Sequence, residues 1–146
     1  MAGRIVVGVD GSDGSVEALR WALREARLRG DSVEAIHSWH YPYAAYTEIT
    51  GMAAGVVDRA ELEKLGQEVL QETVDRVADE ASGVEVTPVL VQGGAAAALL
   101  EAAVGADLLV VGTRGHGGFT GLLLGSVSQH AVHHAPCPVV VVPMTH

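Results

Sequence analysis

The order of strand-like and helix-like segments predicts an α/β fold, a doubly wound parallel sheet of five strands in the order 3-2-1-4-5. Three observations carry this. The runs Ile5–Val9 and Leu108–Val111 contain no polar side chain, which suits strands covered on both faces and therefore internal in a parallel sheet. Segments of helical period alternate with the strands to give βαβαβαβαβ, and right-handed crossovers place such helices on both faces. Pro88 falls inside the third strand and cannot donate to a ladder, so that strand belongs at an edge.

The first strand, Ile5 to Val9, ends in Asp10-Gly-Ser-Asp-Gly14, a turn-rich cluster with several helix N-caps on offer. From Ser15 onward, Val16, Leu19, Leu23 and Ala26 form an apolar stripe opposite Glu17, Arg20, Arg24 and Arg27, and Gly30 closes this helix. Val33 to Trp39 is the second strand. Residues 40–57 form the longest irregular stretch and suit a lid or a contact surface. Asp58 with Glu61 reads as a capping pair, opening a long helix whose apolar stripe is expected at Leu62, Leu65, Val69, Thr73 and Val77 before Gly83 stops it. Val84 to Val91 is the third strand, and Gln92-Gly-Gly94 is a turn. Ala95 to Val104 is an alanine-rich helix ended by Gly105. After the fourth strand and a glycine-rich loop, a helix runs from Ser126 to about His134, and Pro138 and Pro143 bracket the last strand, Val139 to Val142.

At 146 residues and 49% hydrophobic content, the expectation is one domain over residues 1–146 with a core of its own. The single cysteine, Cys137, excludes an internal disulfide, no apolar run is long enough to span a bilayer, and Met-Ala-Gly-Arg is not the start of a signal peptide. Cytoplasm is the expected compartment. Eighteen acidic against nine basic residues, a formal charge of -9, argue against nucleic acid and anionic membranes as partners. Oriented backbone dipoles are still able to hold an anion locally.

The strand order sets strands one and four side by side, with the chain leaving them to opposite faces, so their carboxyl ends form the crevice where such sheets bind ligands. Asp10 and Gly112 lie at those ends. Between Gly112 and Gly125 there are six glycines, followed by a helix start, an arrangement that lets main-chain N–H groups wrap a phosphate at a helix N-terminus. Arg114, the only Lys or Arg beyond Arg76, lies within this loop, as a solvated side chain or a charge-assisted phosphate contact. The Walker A pattern is absent, since no glycine precedes a lysine, and Gly115, Gly117 and Gly121 miss the dinucleotide spacing by one residue.

The spacing that is met is G-x2-G-x9-G-S, by Gly112, Gly115, Gly125 and Ser126. With Val9-Asp10-Gly-Ser12 after the first strand and the tail Gly125-Ser-Val-Ser-Gln-His-Ala-Val-His-His-Ala-Pro-Cys-Pro-Val-Val-Val-Val142, the whole chain resembles the universal stress protein family, in its ATP-binding branch. The resemblance implies a Rossmann-like, adenine nucleotide alpha hydrolase-like fold with ATP as ligand. Carried over by motif position, Val9 and Asp10 belong to the site, Asp10 bonding ribose or adenine, and the backbone around Ser38 meets the adenine edge. Val111, Gly112 and Gly115 line ribose and phosphates. Gly125, Ser126 and Val127 hold phosphate oxygens through N–H groups and the Ser126 hydroxyl. Arg114 stands where the family varies and inherits no role. Asp10 also suits a helix cap or turn, and Ser126 a cap. Magnesium is expected with ATP, held by phosphate oxygens and water, with Asp10 or Asp13 as helpers.

No metal site of the protein's own is expected. His130, His133 and His134 share a helix face, but no further ligand is evident and histidines suit a helix C-terminus. Cys137 reads as a structural thiol and His37 as a hydrogen-bonded core residue. No serine lies in a nucleophile elbow, so no catalytic residue is expected. The expected function is a cytoplasmic, nucleotide-dependent regulator of the stress response with at most weak ATPase activity. Two alternatives stand beside it, a slow ATP hydrolase or adenylyl-transfer enzyme of the same fold, and a cyclic AMP-binding interaction module. The edge of four valines at 139–142 invites pairing with another chain. The family also dimerises through this strand, so a homodimer is expected, and the signal and protein partner stay open.

Overall fold

The computed structural model describes residues 2–40, 58–113 and 125–144. The irregular stretch beyond His40 and the loop positions Arg114 and Gly115 lie outside them. The elements are β1 (Arg4–Gly8), α1 (Asp13–Arg29), β2 (Ser32–Trp39), α2 (Arg59–Arg76), a 3-10 turn (Ala78–Ala81), β3 (Val86–Gln92), α3 (Ala95–Ala102), β4 (Leu108–Gly112), α4 (Ser126–His134) and β5 (Val139–Val142). All five strands are parallel, in the order β3-β2-β1-β4-β5. Pro88 lies on edge strand β3 opposite Ala35, where its missing N–H costs no ladder bond on the open side.

Alternation along the central strands divides the core into two layers. Ile5, Val7, Val33, Ala35, Leu108 and Val110 pack with Val16, Leu19 and Leu23 of α1 and Leu70 of α2. Val6, Ile36, Leu109 and Val111 pack on the other face with Ala98 and Leu99 of α3 and Ala131 of α4. Because both faces are covered, β1 between Arg4 and Gly8 and the whole of β4 carry only apolar side chains.

Several boundaries differ from the sequence expectation, each for a local reason. Helix α1 begins at Asp13, not Ser15, because the Ser12 hydroxyl caps it by accepting the Ser15 N–H at 3.2 Å. Gly30, at φ 74°, closes it, a conformation that costs a residue with a Cβ. Strand β1 ends at Gly8, the last residue paired with β2, and the turn into α1 is bonded from Asp10 onward. Strand β3 starts at Val86, since the Val84 N–H is taken by the Ala81 carbonyl of the 3-10 turn. Helix α3 ends at Ala102, where the Arg4 guanidinium takes the Ala102 and Val104 carbonyls at 2.8 and 2.9 Å.

The largest correction concerns α2. Asp58 caps it, accepting the Ala60 N–H at 3.0 Å, but Leu65 is 56% exposed and the fully buried positions are Gly66, Leu70 and Thr73. A Cβ on Gly66 would lie 3.1 Å from Leu90 Cδ1 and 3.5 Å from Trp39 Cβ, so glycine is what lets the helix lie close on β2 and β3.

Arg4 binds together the amino edge of the sheet. Besides the α3 carbonyls it reaches Glu34 Oε1 at 2.5 Å, and its own N–H donates to Asp107 Oδ2 at 2.8 Å. Next to it, the Gly3 N–H donates to Asp31 Oδ1 at 2.8 Å. Replacing Arg4 with Met keeps the aliphatic stem and removes three hydrogen bonds, two of them to helix-end carbonyls. The expected loss is about 2 kcal/mol of unfolding free energy, read as a lower urea midpoint at unchanged slope.

Candidate functional site

The ladder between β1 and β4 is short. It pairs Ile5 with Leu108, Val6 with Leu109 and Val7 with Val110, and then stops. Beyond that point β1 stays with β2, through Gly8 opposite Ile36 and a bond from the Val9 N–H to the Ile36 carbonyl at 2.9 Å. Strand β4 stays with β5, through Gly112 opposite Val142 and a bond from the Thr113 N–H to the Val142 carbonyl at 3.1 Å. The sheet thus divides at its carboxyl edge between the two strands whose outgoing helices, α1 and α4, lie on opposite faces. Such a division is the topological switch point of this architecture.

On the β1 side, the turn into α1 is built around Asp10. Its Oδ1 accepts the Ser12 N–H at 2.9 Å and the Ser12 hydroxyl at 2.5 Å, while its own N–H donates to Ser15 Oγ at 3.2 Å. Ser15 is 5% exposed and donates its hydroxyl proton to the Ser12 carbonyl at 2.9 Å. Asp10 therefore organises an Asx-type turn; the cap of α1 is Ser12. Asp13 opens the helix and is paired with Arg76 at 3.0 Å.

On the β4 side, the start of α4 is drawn against the strand it follows, because the Gly125 N–H donates to the Thr113 carbonyl at 2.6 Å. The cap is Gly125, without a side-chain bond, so Ser126 is the first helical residue and not the cap. Of the three positions expected to offer N–H groups, Gly125 thus directs its own at Thr113. The N–H groups of Ser126 and Val127 have no carbonyl four residues back within the helix and stand at the positive end of its dipole.

Each expected position that is described falls near this division. Val9 is buried at 4% exposure and leads into Asp10. Val111 and Gly112 end β4. Ser38 lies on β2, two residues beyond Ile36, the partner of Gly8. His37 is half-buried, its Nδ1 2.8 Å from the Val9 carbonyl, which fits a hydrogen-bonded residue that fixes the turn. Arg114 and Gly115 lie outside the described residues. Two residues were given no role at this site from the sequence, Ser15 and Ser128. Ser128 is 4% exposed and donates to the Gly112 carbonyl; the available sign was a serine three residues from Ala131 on the inward stripe of a short helix.

Comparison with known proteins places this geometry. The family model described as the universal stress protein family matches residues 1–143. Universal stress proteins of Mycobacterium tuberculosis and Mycobacterium bovis are 37% identical over 137 residues, 94% of this chain and 44% of theirs, so the chain spans less than half the length of these relatives. A crystal structure of a universal stress protein in complex with cAMP is 27% identical with a TM-score of 0.70, covering 99% of this chain and 98% of that one. The universal stress protein from Archaeoglobus fulgidus in complex with dAMP is also 27% identical, with a TM-score of 0.68 and coverage of 96% and 97%.

Away from the division, among the described residues no group of three or more His, Cys, Asp and Glu side chains is placed to hold a metal ion. The His130 and His134 rings are 6.1 Å apart between centroids, and His130 Nδ1 lies 2.9 Å from the Ser126 carbonyl. Cys137 is half-buried, and loss of solvation pushes its thiol above the usual value, with Asp107 adding to this and Arg4 opposing it. A raised thiol value leaves less thiolate at neutral pH. It also means that the unfolded chain ionises first as pH rises, so this group's contribution to stability is lost toward alkaline pH. Alkylation by iodoacetamide at pH 7.5 should run about tenfold slower than for free cysteine and reach the free rate in urea; equal rates in the folded protein would contradict the burial.

Proposed function

Because the chain belongs to the universal stress protein family, we propose that it binds an adenine nucleotide, ATP first among them, where the sheet divides, and acts as a regulator and not as an enzyme. The observation that carries this reading is the early end of the β1–β4 ladder, which sets Asp10 and Gly112 on either side of an opening next to the start of α4, where no side chain caps the helix. Asp10 on one rim suits hydroxyls of a ribose, the backbone near Ser38 an adenine edge, and Gly112 with the Ser126 and Val127 N–H groups the phosphates. These residues fit the ligand by donor chemistry, since a carboxylate accepts from hydroxyls and helix-end amides bind anions. Efficient phosphoryl transfer needs a clamp of positive charge and a positioned water. The side chains that build the turn, Asp10, Ser12 and Ser15, bond to one another. Magnesium would accompany ATP on the phosphates and water. The 27% identical neighbour that holds cAMP supports a second reading, in which the cyclic nucleotide is the ligand.

Mass spectrometry of the supernatant after denaturing freshly purified protein, joined to calorimetric titration, separates these. ATP is expected to bind, to resist displacement by equimolar cAMP and to remain intact over hours. Preferential displacement by cAMP selects the second reading, and turnover faster than about one per minute would make the protein an enzyme.

Strand β5 is the other edge of the sheet, with Val139, Val140 and Val141 half-buried, and we read it as the seam of a homodimer in the cytoplasm. An unpaired apolar edge is a template for a second strand. Sedimentation at micromolar concentration should give twice the chain mass, and Val141→Pro, which removes an N–H, should return the monomer; a monomeric parent refutes the seam.

A further inference from the structure

Where β4 leaves β1, its backbone groups lose their partners. The Leu109 and Thr113 N–H groups are directed at β5, donating to the Pro138 and Val142 carbonyls at 2.9 and 3.1 Å. Alternation along a strand then directs the N–H and C=O of Gly112 the other way, toward β1. The ladder with β1 has already ended at Val110, so the sheet supplies nothing for either group. The Gly112 carbonyl is instead met from above, by the hydroxyl of Ser128, which also lies 3.4 Å from the Thr113 carbonyl. Ser128 is buried, on the inward face of α4 with Ala131, so solvent is a poor substitute there. A buried acceptor without a donor is costly, which would favour β4 closing back on β1 or twisting its last peptide.

We propose that Ser128 is a positioning residue for the nucleotide. Its hydroxyl replaces the missing β1 donor, allows β4 to part from β1 with its carbonyl satisfied, and so keeps the Gly112 N–H presented at the opening as a donor to a phosphate oxygen. The same bond ties the first turn of α4 to the end of β4, which fixes the Ser126 and Val127 N–H groups relative to that of Gly112. The inference rests on the nucleotide reading above and adds to it a residue outside the four motif positions. It also states which part of the ligand that residue serves, the phosphates and not the base or sugar.

The test is calorimetric titration of the parent protein, Ser128→Ala and Ser128→Cys with ATP and with adenosine, at matched native circular dichroism. The cysteine variant keeps the buried volume while offering only a weak donor, and carries the comparison if the alanine variant does not fold. ATP affinity should fall about tenfold in a folded variant, the size of one hydrogen bond to a charged group, while adenosine affinity stays within about twofold. A general loosening of the fold weakens both ligands by the same factor. An unchanged ratio of ATP to adenosine affinity in either folded variant therefore overturns the assignment. A parent protein that binds neither compound sinks the nucleotide reading itself, and this one with it.

Discussion

The structure depends on one constraint, that a parallel sheet cannot open at its edge without finding new partners for the peptide groups it releases. Three pairs into the β1–β4 ladder the two strands separate. The Val9 N–H stays with β2 and the Thr113 N–H with β5, while the Gly112 carbonyl, which β1 no longer meets, is taken by a side chain of α4. An unsatisfied buried peptide group is costly, so this new partner is a condition for the separation. The halves on either side, β3-β2-β1 and β4-β5, stay paired as before.

At the opposite edge the same strands are held together by charge. Arg4 joins the start of β1 to Glu34 of β2 and to the end of α3, and Asp107, just before β4, accepts the Arg4 N–H. Between the two edges the core packs on both faces, close enough at Gly8 that a Cβ there would lie 2.7 Å from Leu99 Cδ1. The strands are thus joined at one end by side chains and part at the other, the end to which the nucleotide is proposed to bind.

How far the sequence revealed this depends on which kind of signal each feature leaves. Burial on two faces forces uninterrupted apolar runs, so β1 and β4 were plain, and Pro88 placed β3 at an edge because a missing N–H has few other homes. Strand order then located the division, and the glycine spacing, through its likeness to a family, assigned residues to it. On α2 periodicity held at Thr73 and Val77, both buried, but missed Gly66, which lies inward, and misplaced Leu65, which points to solvent. A pattern that equates apolar with inward cannot register a glycine whose task is to let helix and sheet approach. It was equally silent on Ser128, because a buried serine is distinguished only by the acceptor it meets, and that acceptor lies 16 residues away in the chain.

The charge of the chain gives these backbone arrangements their importance. With twice as many acidic as basic residues, an anionic ligand meets an unfavourable overall field. Several arginines are already engaged, Arg20 with Glu17 and Glu80, Arg29 with Glu25, Arg76 with Asp13 and Arg4 with Glu34. Main-chain N–H groups at a helix start act at contact distance and carry no net charge, so they can favour an anion locally while the surface as a whole stays acidic and repels polyanions. Recognition of this kind is written in absent side chains, as glycines, and in the few polar groups that hold the peptide planes in place. In the proposed site a side chain such as Ser128, which need touch no ligand, acts through the peptide group it holds.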